Sequence, residues 1–113
     1  MRSEVLKGHV DFLLLATLRD GPLHGYGVVE RLRGASDGAF DLAEGTVYPA
    51  LYRLEAAGLL SSKWTTAGGR RRRVYQLTPA GRRALDSERS TWRDFSGAVT
   101  ALLKPAPPAE ASP

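Results

Sequence analysis

The 113-residue sequence predicts an α+β fold that is mostly helical, and two observations carry this prediction. Four segments repeat apolar residues at helical spacing. Residues 61–77 contain two runs with strand character on either side of Gly68 and Gly69. Residues 105–113 include four prolines and no large apolar side chain, which is typical of a disordered tail. We therefore expect one small domain (1–77), a long helix (78–104) and a disordered tail (105–113).

Two helices are predicted at the start of the chain. Residues 5–19 are apolar on most sides, so this helix must be covered on several faces, and Asp20-Gly21-Pro22 ends it. The second helix is expected at about residues 24–34. Its predicted inner stripe consists of Tyr26, Val28, Val29 and Leu32, with Glu30, Arg31 and Arg33 outside.

The third predicted helix follows a short extended segment at residues 40–42 and has two distinct faces. At 100° per residue, Val47, Leu51 and Leu54 share the face toward the core. The outer face carries Pro49, Tyr52, Arg53 and Ala56, with Thr46 and Tyr48 at its flanks. Because Pro49 has no N–H, we expect the helix to begin at Gly45 or Thr46, with Thr46 as N-cap. The N–H groups of such an end would suit a phosphate.

A β-hairpin is predicted after Gly58, which ends the third helix. The strands are expected at residues 61–66 and 71–77, around a turn at residues 67–69 whose glycines allow positive φ. Two-residue alternation places Tyr75 and Leu77 on the buried side of the second strand, with Val74 and Gln76 facing away. Four consecutive arginines, Arg70, Arg71, Arg72 and Arg73, follow the turn. They cannot all reach water from a buried strand, so the tip of the hairpin must protrude.

The positive charge of the chain is concentrated in this region. Residues 1–59 contain 6 Lys/Arg and 8 Asp/Glu, whereas residues 60–83 contain 7 Lys/Arg and no acidic residue, giving +7 in a chain of net charge +4. Local basicity of this kind is typical of a phosphate-binding surface. The alternative interpretation is a solvated loop that is basic without function.

The last predicted helix begins with Thr78 as N-cap and Pro79 in the first position, and it extends to about residue 103. Its apolar residues occupy heptad a and d positions, with Glu88 as the exception: Leu85, Trp92, Phe95, Val99 and Leu102. This stripe could pack on the first helix of the same chain. A helix of roughly 39 Å, however, is longer than so small a domain, which favours burial against a second subunit in a homodimer.

Trp92 and Phe95 lie one turn apart near the expected dimer axis. They could hold a planar aromatic effector between the last helices and the first, or they could form an ordinary aromatic interface.

Catalysis, metal binding and export have little support in the sequence. There is no cysteine, and His9 and His24 lack both metal-ligand spacing and a nucleophile, so we expect no enzyme activity, metal or cofactor. No run of 18 apolar residues and no secretion signal is present, which predicts a cytoplasmic protein without a membrane partner.

An exposed helix next to a cationic hairpin is typical of a winged helix-turn-helix, in which one element enters the major groove of DNA and the other follows the backbone or minor groove. We therefore predict that the chain binds duplex DNA with sequence preference. The alternative is a winged-helix module for protein association, in which the Tyr52 face docks a partner and the arginines meet an acidic surface.

Three segments occur in an order and spacing that resemble the PadR family of bacterial transcriptional regulators: GPLHGYGVVERL, EGTVYPALYRLEAAGLLSS and GGRRRRVYQLTPAGRRAL. The resemblance spans about residues 6–85. It implies a winged helix-turn-helix repressor that is a homodimer through its C-terminal helix, in the small subtype with a single such helix. It also implies that GTVYPALYR is the recognition helix, that the arginine-rich hairpin is the wing, and that a small, often planar aromatic effector releases the DNA.

These inferences define the expected DNA-binding residues. Thr46, Tyr52 and Arg53 are expected to contact base edges, sugar or phosphate in the major groove, with Tyr48 and Pro49 shaping the approach. Phosphate contacts are expected mostly from Lys63, Arg70, Arg71, Arg72 and Arg73. The resemblance implies that Tyr26 supports the helix before the recognition helix, and we include it in the DNA-binding set.

Overall fold

The computed structural model describes residues 3–108, which contain five helices and three strands. In chain order the elements are α1 (Ser3–Leu6), α2 (Val10–Thr17), β1 (Leu23–His24), α3 (Gly25–Ala35), α4 (Glu44–Ala56), β2 (Leu60–Ala67), β3 (Arg70–Leu77) and α5 (Pro79–Leu103). The predicted fold class is confirmed. A helix-turn-helix (α3–α4) leads into a β-hairpin wing, β2–β3, and a long C-terminal helix follows.

The first helix differs from the prediction of one continuous element over residues 5–19. Its chain path bends at Gly8, which has φ +91°, a conformation that glycine adopts without steric cost. The His9 N–H donates to the Leu6 carbonyl at 2.9 Å to close the turn, and α2 begins at Val10. The break leaves α2 as a short helix whose buried side includes Leu14 and Leu15.

The sheet contains a strand that the sequence did not predict. Residues of β2 and β3 pair antiparallel from Leu60↔Leu77 to Ala67↔Arg70 around a two-residue turn in which Gly68 and Gly69 have φ +58° and +76°. Positive φ at both central positions is the type I′ geometry that matches the twist of the strands. The two-residue strand β1 pairs with the other edge of β3, so the order is β1-β3-β2. Two residues are too few to show an alternating pattern in sequence.

One hydrophobic core joins α2, α3, α4 and the sheet, and α5 enters it only with its first turns. Its least exposed large side chains are Leu14, Leu18, Val28, Val47, Leu51, Leu60, Tyr75 and Leu85. The predicted inner faces of α3 and α4 are confirmed except at Tyr26, which is 46% exposed. Tyr26 is six residues from Leu32, an offset of about 120° around the helix, so it cannot share the buried stripe.

Helix α5 projects beyond the domain. Thr78 caps it as predicted, because its Oγ1 accepts a hydrogen bond from the Gly81 N–H at 3.0 Å and Pro79 follows at N1. Leu85 is buried, but Phe95 is 60% and Leu102 84% exposed. The described chain is accordingly elongated, with extents of 75 × 28 × 21 Å. Only the N-terminal part of the apolar stripe therefore packs within the chain.

The remaining expectations from the sequence concern the C-terminal tail, membrane-spanning helices and metal sites. Residues 105–108 are exposed and form no helix or strand, and residues 109–113 lie outside the described residues. None of the helices between residues 3 and 108 combines the length and apolar character needed to cross a membrane. Within the same range, no three acidic or histidine side chains are grouped closely enough to hold a metal ion.

Candidate nucleic-acid interface

Helix α4 begins earlier than the sequence predicted. Ala43 is the N-cap residue, without a side-chain cap, and the Thr46 N–H donates to the Ala43 carbonyl at 2.9 Å. Thr46 therefore lies inside the first turn and is not the N-cap, and Pro49 lies inside the helix. Proline leaves the carbonyl four residues earlier, that of Gly45, without its helical donor. Glu44 also occupies the first turn, so this helix end already carries an anion.

The outer face of α4 has small residues at its centre and one larger side chain at each edge. Its centre consists of Gly45, Pro49 and Ala56, all exposed and small. Tyr52 lies at the edge toward the wing and is 51% exposed, whereas Arg53 lies at the edge toward α2. A helix with small central residues can approach the floor of a groove closely, and a methyl group such as that of Ala56 can contact a thymine methyl.

Tyr48 is half-buried between α4 and the start of α3. A Cβ atom built on Gly25 would lie 2.3 Å from a ring carbon of Tyr48, so this position of the HGYG segment has no room for a side chain. Burial, with a smaller effect of Glu44, raises the pKa of the Tyr48 hydroxyl. Tyr48 thus helps to hold the two helices together, in addition to bordering the outer face.

The pleat of the wing divides its cationic residues between two faces. Trp64 pairs with Arg73, and Thr66 pairs with Arg71, so these four side chains share one face of the hairpin. Lys63 pairs with Val74 on the opposite face. That opposite face also carries Arg70 and Arg72. The four arginines, which look equivalent in sequence, therefore face different surroundings.

Arg73 does not protrude from the wing tip as predicted but connects the wing to α4. Its guanidinium donates to Glu55 Oε1 at 2.7 Å and to Ser62 Oγ at 2.8 Å. The same group lies 5.8 Å from the ring centroids of both Tyr52 and Tyr75. The strand register turns it back toward the helix, so its hydrogen-bonding capacity is largely used inside the protein.

The other wing cations are more exposed. The Arg71 guanidinium lies 4.9 Å from the ring centroid of Trp64, in cation–π geometry. Arg72 Nη1 is 2.9 Å from Nε2 of His24 on β1. Arg70 and Lys63 are exposed and make no ion pair within residues 3–108. These side chains can face a phosphate backbone directly.

An open cavity of about 430 Å³ brings the helix and the wing together. Its lining is aromatic and cationic: His24, Gly25, Tyr26, Tyr48, Tyr52, Trp64, Arg70, Arg71, Arg72, Arg73 and Tyr75. None of these lining residues carries a carboxylate. The sequence did not indicate Trp64 or His24 as site residues. Alternation along β2 could have indicated Trp64, whereas His24 needed knowledge of β1.

Arg53 and Thr46 lie outside that cavity. They line a second open cavity of about 280 Å³ together with Lys7, Gly8, Val10 and Asp11. Arg53 forms an ion pair with Asp11 of α2, and both side chains remain at least half exposed, at 60% and 50%. The predicted site residues therefore form two neighbouring groups on either side of the outer face of α4.

The predicted effector residues, Trp92 and Phe95, are in contact but differ in surroundings. Their ring centroids are 6.2 Å apart and the rings are tilted by 32°. Trp92 borders an apolar groove of about 510 Å³ on α1 and α2, lined also by Val5, Leu6, His9, Phe12, Leu13, Ala16 and Phe40. Phe95 lies beyond this groove.

The comparison with protein families identifies this architecture. The family model described as "Transcriptional regulator PadR-like family" matches residues 14–87, from α2 into α5. A transcriptional regulator of Mycobacterium tuberculosis is 38% identical over 96 residues, which cover 85% of this chain and 87% of the relative. The chain belongs to the PadR-like family of transcriptional regulators. The predicted family is confirmed, and its members are regulators rather than enzymes.

Solved structures share the fold of this PadR-like regulator. A transcriptional regulator from Clostridium thermocellum superposes with a TM-score of 0.80 at 28% identity, covering 92% of this chain and 99% of that one. Bacillus subtilis PadR, solved in complex with operator DNA, superposes with a TM-score of 0.63 at 22% identity. That comparison covers 93% of this chain but 53% of the larger protein, and it shows the fold alone.

Proposed function

We propose that this PadR-like regulator is a homodimeric repressor that binds operator DNA with sequence preference. Helix α4 would enter the major groove, and the β2–β3 wing would hold the adjacent backbone. The observation that carries the proposal is the cavity between α4 and the wing, because it joins four arginines with exposed Tyr26, Tyr52 and Trp64 and its lining includes no carboxylate. A cationic and aromatic surface of this kind suits a polyanion with stacked bases.

Within this proposal the interface residues have different tasks. Phosphate contacts come from Lys63, Arg70, Arg71 and Arg72, while Arg73 keeps the wing at a fixed distance from α4. Base contacts come from Tyr52 and Arg53, at the two edges of the α4 outer face. Pro49 lies between these edges, and Thr46 lies beside Arg53 at the edge toward α2. Tyr26 projects from the first turn of α3 toward the cavity and contributes a backbone contact.

The dimer follows from the projecting half of α5, which belongs to the proposed dimerisation helix (residues 78–104). Large apolar side chains left at 51–84% exposure, from Trp92 to Leu102, are uncommon on a monomeric surface and typical of an interface. In a twofold dimer, the two α4 helices reach successive major grooves when they are about 34 to 36 Å apart. Repression follows if the occupied site overlaps the binding site of RNA polymerase.

Control by a small planar aromatic molecule is the finer part of the proposal. The apolar groove beside Trp92 has the size and lining that suit such a ligand. In the Trp64→Phe variant, quenching of the remaining tryptophan during titration with aromatic compounds tests this binding. A compound that relieves repression without changing the Trp92 signal would place the effector elsewhere.

The test of DNA binding measures fluorescence anisotropy with promoter DNA and with unrelated DNA at moderate salt. A specific regulator should prefer its site by about a thousandfold or more. Equally weak binding to every duplex would instead favour the alternative function, a protein-association module. That alternative rests on the same exposed Tyr52 face, which could dock an acidic protein partner.

A further inference from the structure

Asp11 is the acidic residue that contacts the DNA-facing side of α4. It is the second residue of α2, and its carboxylate forms an ion pair with Arg53 across 42 positions of sequence. The pair lies in the open cavity that Lys7 and Thr46 also border, so it is next to the outer face of α4. Asp11 therefore places a negative charge next to the surface that the proposed function turns toward DNA.

The other exposed ion pairs of the described chain do not have this position. Asp20 pairs with Arg19 and Arg31, and Asp41 pairs with Arg33. None of these residues lines either cavity beside α4. Among the ion pairs formed within residues 3–108, only Asp11–Arg53 involves a side chain of the α4 outer face and leaves both partners at least half exposed.

An exposed pair of this kind can be opened by a competing hydrogen-bond acceptor, since solvent screens the attraction between the two charges. DNA offers two kinds of acceptor that can replace Asp11 as the partner of Arg53. Phosphates occur along every sequence, whereas the paired O6 and N7 acceptors of a guanine match the fork of an arginine and occur only at particular positions. A carboxylate that holds Arg53 competes with both kinds of acceptor, and its own charge is repelled by the backbone.

We infer that Asp11 limits the affinity of the regulator for DNA, because it competes with DNA for the Arg53 guanidinium and weakens binding to the operator more than binding to unrelated DNA. This inference rests on the proposed function. At the operator, the ion pair must open before Arg53 can make its bidentate base contact, so the free energy of the pair opposes operator binding in full. On other sequences Arg53 can stay with Asp11, so binding there forgoes only a weaker phosphate contact, and Asp11 lowers the ratio of operator binding to unrelated binding, the specificity ratio.

The test compares wild-type protein with Asp11→Asn, Arg53→Ala and the double variant. The probes are a duplex selected by the wild-type protein from a random library and an unrelated duplex of equal length, each titrated over a salt series. Asp11→Asn should tighten operator binding about fivefold and binding to the unrelated duplex by a smaller factor. The salt slope on unrelated DNA should steepen by about one phosphate contact.

The matched control is Asp20→Asn, which removes the same charge from an exposed ion pair away from both cavities. It should leave the specificity ratio unchanged. In the Arg53→Ala background, Asp11→Asn should also leave the ratio unchanged, because the residue for which it competes is gone.

Several outcomes would overturn this role of Asp11. Unchanged operator binding in Asp11→Asn would show that the ion pair does not compete with DNA, and tightening of the same size in the Arg53→Ala background would show a simple charge effect of Asp11. Weaker operator binding in Asp11→Asn would show that the carboxylate positions the arginine instead. If the wild-type protein selects no sequence from the library, the proposed function itself fails. This failure is seen with the wild-type protein alone, so it is distinct from a failure of the role proposed for Asp11.

Discussion

Two neighbouring arginines on one face of β3 show how position decides the task of a residue. Arg71 stacks on the exposed ring of Trp64 at the outer end of the wing, whereas Arg73 is hydrogen-bonded to Glu55 and Ser62 and lies between two tyrosine rings. Their side chains are identical and two residues apart. We therefore expect their removal to affect different properties.

Arg71→Ala should weaken binding to all duplexes and lower the salt slope by about one, while thermal stability changes little. Arg73→Ala should reduce the free energy of unfolding by about 1 to 2 kcal/mol, because Glu55 loses its cation, and should affect DNA binding through the displaced wing. Thermal melts and salt titrations of both variants measure these effects. A melting temperature that falls equally in both would contradict the distinction.

Alkaline pH probes a second residue-level feature, the buried Tyr75. This side chain is 1% exposed, and burial raises the pKa of its hydroxyl, partly offset by Arg73. The folded chain thus retains a proton that the unfolded chain releases, so stability should fall as the pH rises above about 10, the ordinary tyrosine pKa. Tyr75→Phe should flatten this fall in urea unfolding experiments.

Tyr26→Phe, at an exposed position, is the control for the alkaline experiment. It should leave the pH dependence as in the wild type. If stability depends on pH in Tyr75→Phe as it does in the wild type, another group controls alkaline unfolding. Tyr48 is then the next candidate, because burial also raises its pKa.

At the scale of elements, the end of α4 and the start of α5 are joined by hydrogen bonds and close packing. The Thr78 hydroxyl donates to the Gly58 carbonyl at 2.6 Å, and the Thr78 N–H donates to the Leu59 carbonyl at 3.1 Å. Gly81 packs directly on that backbone, since an added Cβ would lie 1.9 Å from the Leu59 oxygen. The end of the proposed recognition helix and the start of the proposed dimerisation helix are therefore held in a fixed relation.

Gly81→Ala should reduce the free energy of unfolding by more than about 2 kcal/mol, because the new methyl group meets backbone that cannot rotate away. Gly97→Ala is the matched control on the same helix, where an added Cβ meets no atom within 4 Å. It should stabilise the chain by about 0.5 to 1 kcal/mol through helix propensity. Chemical denaturation measures both, and a tolerated Gly81→Ala would show that the junction can relax.

At the scale of the molecule, the buried core ends well before α5 does. The helix leaves the domain with Phe95, Leu102 and Leu103 exposed, and no other element of residues 3–108 covers them. A stripe at heptad spacing buries itself most simply against a symmetric copy. The proposed repressor needs such a copy to present two α4 helices to one operator.

Leu102→Glu should convert the proposed dimer largely to monomer and abolish operator binding at nanomolar protein, since it places a charge in the interface. Ala101→Glu is its control, one position and 100° away around the helix, on an exposed site. Sedimentation velocity measures the oligomeric state of both. A wild-type monomer, or a dimer that tolerates Leu102→Glu, would contradict the proposed interface.

Much of the fold was predictable because it depends on local signals. The faces of α4, the glycine turn of the wing and the Thr78-Pro79 start of α5 follow from periodicity, φ preference and capping, all of which act within a few residues. The same holds for the family, whose three segments are contiguous runs of sequence. The break at Gly8 was missed because a glycine within an apolar run is compatible with a helix.

By itself, the sequence determined the class of fold, the cationic hairpin and the residue types presented by the outer face of α4. The tertiary structure decided which of these side chains are already engaged. Arg73 is turned inward by strand register, Arg53 is held by Asp11, and Arg72 meets His24 on a strand of two residues. The physical reason is distance along the chain: these contacts join residues 18 to 48 positions apart, and no local pattern encodes them.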